Sequence, residues 1–271
     1  MKLPRRQFLH LVAGAAAMPA VSRIARAQTV ADVPRVVRVG YPPFGPPVTF
    51  LPAATPENYA TLDPNSAQGA VIDLYKAIAN DVGFQVQFLA FVSGQLPGAL
   101  AAKKIDTLVW VSSPANKALM EISESIFADS EVLIANKNDA RPYKTYADLK
   151  GQIVGSRTGS IYEDDMKKNG LKVRSYVTAP EIYKAVNAGE VKVAINTRYI
   201  STAYALLDDQ YPNVQIVKSY QAKFSDVLGV ATSKDRIALF ERMTTSLAKL
   251  KRNGVVKAIF ASYGVADALT K

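Results

Sequence analysis

Residues 95–116 read QLPGALAAKKIDTLVWVSSPAN, and no other stretch limits the possible folds as strongly. Leu96, Ala99, Leu100 and Ala102 share one face of a helix. Lys103 and Lys104 follow at its C-terminal end, where positive charge complements the helix dipole. Behind Ile105, the run Thr107-Leu108-Val109-Trp110-Val111 is too short for a helix and predicts a central parallel strand. The run stops at Ser112-Ser113-Pro114. In open α/β sheets ligands bind beyond the carboxyl ends of strands, so residues 110–116 form a candidate binding edge.

The same order of elements recurs. Residues 179–190 read as a helix, Val191-Lys192-Val193-Ala194-Ile195 as a strand, and Asn196-Thr197-Arg198 as a polar exit. Two helix–strand–loop units predict two α/β lobes facing each other.

Residues 1–27 stand apart. Arg5-Arg6-Gln7-Phe8-Leu9 has the form of a twin-arginine export signal, an Ala- and Gly-rich apolar segment follows, and Ala25-Arg26-Ala27 gives a small-x-small cleavage pattern before Gln28. The apolar segment falls short of the about 20 residues a spanning helix needs. The segment carries Lys2, Arg5, Arg6, Arg23 and Arg26 and no acid, so of 33 basic residues 28 remain against 23 acidic ones, and the net charge drops from +10 to +5. So mild and dispersed a charge argues against nucleic acid as a partner.

The one histidine, His10, lies in that signal, and the chain has no cysteine. After cleavage neither imidazole nor thiol remains, which excludes Ser-His-Asp and Cys-His catalysis, His-based zinc sites and disulfides. Roughly 240 residues bury an adequate core without such staples.

The remaining chain alternates strands and helices. Residues 36–40 read as the first strand, stopped by Tyr41-Pro42-Pro43-Phe44. Residues 45–68, rich in Pro, Ala, Thr and Asn, read as a long irregular loop. A helix over 69–83 ends at Gly83, and a strand follows over 84–89. Two extended segments, 126–127 and 131–135, precede a polar stretch over 136–145 that reads as a lobe boundary. Strands at 153–156, 173–176, 214–217 and 227–231 interleave with helices at 146–151, 161–169, 199–211, 239–253 and 255–263.

An ordered series of motifs within this pattern resembles the family 3 solute-binding proteins of ABC importers, which include polar amino-acid binders. The series comprises Tyr41-Pro42-Pro43-Phe44, Gly69-Ala70-Val71-Ile72-Asp73-Leu74, the stretch from Leu96 to Asp106, Asp148-Leu149-Lys150-Gly151 before Val154-Gly155 and Gly159-Ser160, then Leu250-Lys251-Arg252-Asn253-Gly254 and Ile259-Phe260 with Tyr263-Gly264. The resemblance spans residues 36–264. It implies an α/β, two-lobed periplasmic binding protein-like fold, each lobe a central mixed sheet flanked by helices. Two crossover strands near 130–137 and 225–231 would join them. Lobe one would hold 33–131 plus 229–271 and lobe two 136–225, with a ligand in the cleft and hinge closure over it.

The resemblance also implies site residues. Tyr41 matches an aromatic that packs on the ligand. Ser113 falls near a ligand-binding hydroxyl after the lobe-one strand, and is equally a turn residue before Pro114. Ser160 matches a hydroxyl at the start of a lobe-two helix, where free N–H groups form an anion site and where it also serves as a plain N-cap. Trp110 stands where small polar residues are usual, and is equally a core tryptophan. The family's amino-acid binders clamp the α-carboxylate with an Arg; here Lys117 fills that place, with charge but no planar fork. They hold the α-ammonium with an Asp after a lobe-two strand; here Thr197 stands there. Arg157, in the lobe-two exit loop, is a candidate holder of an anionic group.

These readings converge on a periplasmic receptor, exported by the twin-arginine route, that binds a small polar or anionic solute and passes it to membrane permease subunits. It would act as a monomer without cofactor, metal or catalytic residue. Two other classes stay open. One is an accessory binding protein of a non-ABC redox or alcohol-oxidation system. The other is a dehydratase-like enzyme on the same fold, with Glu163, Asp164 and Asp165 as acids; acids in a first helical turn also simply complement its dipole.

Overall fold

The computed structural model describes residues 33–205 and 210–270, so the export signal read over 1–27 lies outside the described residues. The first part of the chain builds β1 (Val36–Tyr41), a hairpin of β2 (Phe44–Gly45) and β3 (Thr49–Phe50), α1 (Ala70–Val82), β4 (Gln85–Ala90), α2 (Leu96–Ala101), β5 (Thr107–Val111), α3 (Pro114–Leu119) and β6 (Met120–Ile122). The second part builds β7 (Phe127–Asn136), β8 (Ile153–Arg157), α4 (Ile161–Lys168), β9 (Lys172–Tyr176), α5 (Ala179–Ala188), β10 (Val193–Thr197), α6 (Arg198–Ala205) and β11 (Val214–Ile216). The chain returns through β12 (Ser225–Ser233), α7 (Ile237–Arg252) and α8 (Val255–Ser262).

Lobe one is built on the order β4-β1-β5-β12, in which β1 runs parallel to both neighbours and β12 antiparallel to β5. Helices cover both faces. On one, α1, α7 and α8 bury Ile72, Tyr75, Ile78, Met243, Leu247 and Phe260 against the sheet. On the other, α2 buries Leu96 and Leu100 over Ile105 and Leu108. Fully burying each such side chain is worth about 1.5–3 kcal/mol. A buried polar relay fixes α1 in place: Tyr75 and Thr107 share a 2.9 Å hydrogen bond, and Thr107 Oγ1 donates to the Ala231 carbonyl. Asp106, just before β5, accepts from the Arg38 backbone N–H, Nε and Nη2 at 2.8–2.9 Å, tying that turn to β1.

The second lobe has the order β9-β8-β10-β7, with β11 on the other side of β7. Its α5 starts in a capping box of Thr178 and Glu181, carries Pro180 in its first turn, and stops at Gly189 in the left-handed region. Its core packs Ile182, Tyr183 and Val186 under Ile134 and Ala194.

One strand belongs to both sheets. Residues 127–130 of β7 pair with β12, while residues 131–136 pair with β10 and, further along, β11. The sequence reads two extended segments here because Asp129 and Ser130 interrupt the apolar pattern; the strand changes partners just there, between Ser130 and Glu131. The polar stretch 136–145 accordingly lies within lobe two and not at a boundary. Asn136 is buried there and its Nδ2 donates to the Val186 carbonyl at 2.7 Å.

Three other readings change. Residues 45–68 are not irregular throughout: they hold the β2–β3 hairpin and two 3-10 turns. Leu51 and Ala67 are buried in the lobe-one core, and Phe50 bridges to Gln68, contacts that a local pattern does not reveal. The helix read over 199–211 is described only as Arg198–Ala205, and Tyr211 packs beyond it at 5.6 Å from Tyr183. Pro114, read as part of a polar exit, opens α3 at its first position.

Candidate functional site

A cavity of about 430 Å³ lies between the lobes, at the carboxyl ends of β1, β5, β8 and β10. Lobe one contributes Tyr41, Trp110, Ser113 and Asn116; lobe two contributes Arg157, Ser160 and Thr197. Six of the seven residues singled out from the sequence thus line one space. The seventh, Lys117, sits on the exposed side of α3 and is outside the lining.

Tyr41 ends β1 and is almost fully buried. Its ring meets Phe88 edge-on at 6.1 Å, and its hydroxyl donates to the Pro64 carbonyl at 3.0 Å. The residues 45–68 thereby fix the ring that forms one wall. Burial pushes the Tyr41 phenol well above its usual range, so it stays neutral. Ser113 caps α3 by accepting from the Asn116 N–H at 3.2 Å, and Asn116 Nδ2 donates to the Val111 carbonyl. The cap and the cavity wall are the same residue. Trp110, half-buried, faces the cavity from β5.

The lobe-two loop is braced from within. Ser160 accepts from the Glu163 N–H at 3.2 Å and lies 3.3 Å from Ser156 Oγ. Glu163 in turn accepts from the Gly159 N–H at 2.6 Å, from Lys167 Nζ at 2.6 Å and from the Ser175 hydroxyl. Burial alone raises this carboxyl, but those donors outweigh it and hold it below the usual range. Glu163 is therefore ionised and saturated, a brace for the loop rather than a proton donor. Asp165 pairs with Lys223 at 2.6 Å, and Asp164 lines the cavity.

Arg157 ends β8 and is half-buried by its own surface. Its Nε is enclosed without a hydrogen-bond partner, and among the described residues the guanidinium makes no ion pair within 4 Å. Burial lowers its pKa, against the pull of Tyr162, Asp129 and Asp226. Thr197 Oγ1 is likewise enclosed and unpartnered. Buried polar atoms are nearly always satisfied, and leaving one bare costs about 1–3 kcal/mol.

Asp129 on β7 and Asp226 on β12 also line the cavity, and the sequence reading passed over both. Asp129 accepts from the N–H groups of Ser130, Arg198 and Tyr199, so it caps α6 from outside that helix. Asp226 accepts from the Tyr162 hydroxyl at 2.9 Å. Burial pushes Asp129 up to about 6 and raises Asp226 as well. The sequence reading leaves Asp129 in the gap between the extended segments 126–127 and 131–135, and Asp226 one residue before the strand 227–231, so neither is placed inside a strand.

Two α/β lobes joined by shared strands, with a cavity between them, define the periplasmic binding protein fold. The chain belongs to the bacterial extracellular solute-binding proteins, family 3, whose family model matches residues 48–266. The histidine-binding periplasmic protein of Salmonella typhimurium LT2 is 24% identical over 253 residues, covering 86% of this chain and 89% of that protein. ABC transporter arginine-binding protein 1 of Escherichia coli K12 is 23% identical over 199 residues, covering 72% and 81%. Among solved structures, an ancestral arginine-binding protein bound to arginine matches with a TM-score of 0.74 at 25% identity, over 85% of this chain and 98% of that one.

Proposed function

We propose that this protein is a periplasmic receptor for a small solute of the amino-acid class, which it captures between its lobes and delivers to an ABC permease. The observation that carries this reading is an inter-lobe cavity of about 430 Å³ on which polar side chains of both lobes converge, Ser113, Asn116 and Asp226 from one and Arg157, Ser160 and Thr197 from the other. A cavity of this size with a few convergent polar groups suits a small polar guest. Arg157 holds the solute's carboxylate with a planar fork, taking over the role that the exposed Lys117 does not fill. Tyr41 and Trp110 pack on its apolar part, and Ser113, Ser160 and Thr197 supply hydroxyls. The names of the relatives, which bind histidine and arginine, support an amino acid over a general polar or anionic solute.

Residues 33–131 with 229–271 form one rigid lobe and 136–225 the other, and the two close by bending at β7 and β12. Residues 1–27 direct export through the twin-arginine route and are then removed. The braced state of Glu163 favours binding over acid catalysis at this loop.

A thermal-unfolding screen of the exported protein against amino acids, amines, carboxylates and alcohols tests the reading. A solute at 100 times its dissociation constant adds about 2.7 kcal/mol of stability. A saturable shift with an amino acid recovered unmodified supports a receptor. Shifts confined to alcohols, or turnover of the solute, contradict it.

A further inference from the structure

Asp129 and Asp226 are register partners on antiparallel β7 and β12, so their side chains stand side by side on one face of the strands that join the lobes. They are 6% and 9% exposed, and both face the cavity. Each keeps one oxygen in use. Asp129 Oδ1 takes three backbone N–H groups at 2.9, 3.2 and 3.4 Å, and Asp226 Oδ2 takes the Tyr162 hydroxyl. Among the described residues no donor reaches Asp129 Oδ2 or Asp226 Oδ1.

Like charges directly opposite each other destabilise a strand pair, and buried carboxylates call for a counter-charge. Two cations act on the pair from a distance: Arg198, whose guanidinium is taken by Asp267 at 3.1 Å, acts on Asp129, and Arg157, which lines the cavity, feels both carboxylates but lies beyond ion-pair distance of either. Two carboxylates and a guanidinium therefore surround one space without neutralising one another. The arrangement matches a molecule that brings both missing partners: an anion for the guanidinium and a hydrogen-bonding cation for the two free carboxylate oxygens. An ammonium, with three donors, satisfies both oxygens at once.

We propose that Asp129 and Asp226 form an ammonium subsite on the inter-lobe strands, and that the bound solute spans from this pair to Arg157. This assignment rests on the receptor reading. It explains how the chain accommodates a zwitterion although Thr197 stands where a carboxylate is expected. It also places the cationic end of the solute on the strands about which the lobes would bend, so that binding and lobe position are coupled.

The test is calorimetric titration of the exported protein, and of its Asp129→Asn and Asp226→Asn variants, with the twenty L-amino acids and the deaminated carboxylic acid matched to each. Asparagine retains the cap on α6 at position 129, and at position 226 its amide oxygen still accepts from Tyr162; the second variant leaves the cap untouched if the first folds poorly. The expected result is an amino acid bound at least tenfold more tightly than its deaminated partner, with that preference lost in both variants. Variants that bind the amino acid like the parent overturn the subsite. A parent that binds the deaminated acid equally well overturns it too, while leaving the receptor intact. A parent that binds none of the probes overturns both.

Discussion

Gly94, next to the cavity-lining Ser93, meets the cavity-lining Gly159, one residue from each lobe. A methyl on Gly159 would lie 3.7 Å from Gly94 Cα, and one on Gly94 would lie 3.5 Å from the Thr158 carbonyl oxygen. Both distances are ordinary van der Waals contact, so there is room for a methyl at either position and only a larger side chain is crowded. A bulky side chain at Gly94 props the lobes apart while touching neither core.

Gly94→Trp is accordingly expected to weaken solute binding by tenfold or more and to leave the unfolding free energy of the solute-free protein within about 1 kcal/mol of the parent, as for an exposed loop substitution. X-ray scattering with and without solute, beside calorimetry, checks this. Unchanged affinity would mean that contact at this point contributes nothing to capture.

Asp129 gives a pH signature. Its folded-state value is raised to about 6 by burial, so the native state holds a proton that the unfolded chain releases at lower pH. The stability tied to this group is fully present below the unfolded value and is lost as pH rises through 6. The groups around it are Asp226 and Tyr162, Arg157, and Arg198 with Tyr199 at the start of α6. Asp129→Asn is expected to unfold at a higher temperature than the parent at pH 7.5, with the gap closing toward pH 4. Solute affinity should run the other way in the parent, falling below pH 6 as the carboxylate is protonated. A constant gap across this range would remove Asp129 as the titrating group.

Asp106 separates fold from function. It is buried, carries a bidentate Arg38 and a second contact from Arg236 at 3.3 Å, and lies outside the cavity. Asp106→Ala leaves Arg38 without its partner and is expected to cost about 3 kcal/mol in urea unfolding, with solute affinity per folded molecule unchanged. A large loss of affinity without loss of stability would contradict a purely structural role.

Much of this arrangement is legible in the chain. The run Thr107-Leu108-Val109-Trp110-Val111 is apolar because both faces of β5 are covered, Val109 packing on the α1, α7 and α8 side and Leu108 and Trp110 on the α2 side, and its polar exit leads into the cavity as the rule for α/β sheets requires. Tyr41, Ser160 and Thr197 come from the family resemblance and Arg157 from its place in an exit loop, and each sits at the end of a strand or just beyond it, in the cavity lining. Asp129 and Asp226 are not legible in this way. They lie inside strands, and only the pairing of two segments 97 positions apart, Asp226 with Asp129, reveals that they face each other. The hairpin at 44–50 was hidden for a related reason: each of its strands is two residues long, and its order comes from backbone contacts with Gln68, Ala70 and Val71 rather than from local alternation. Lys103 shows the limit of a charge argument. Its position after α2 suits the helix dipole, but it also adopts a left-handed backbone and pairs with Asp235 at 2.6 Å, neither of which spacing discloses.

The most direct test of the central claim is calorimetric titration of the strongest amino-acid ligand from the unfolding screen into the exported protein and into Arg157→Gln. The account predicts one site per chain in the parent and a loss of about 2–3 kcal/mol of binding free energy in the variant, roughly 30- to 150-fold, as for removal of one partner of a buried charge pair. Equal affinity in the two proteins would place the solute elsewhere and contradict the claim that this cavity is the binding site.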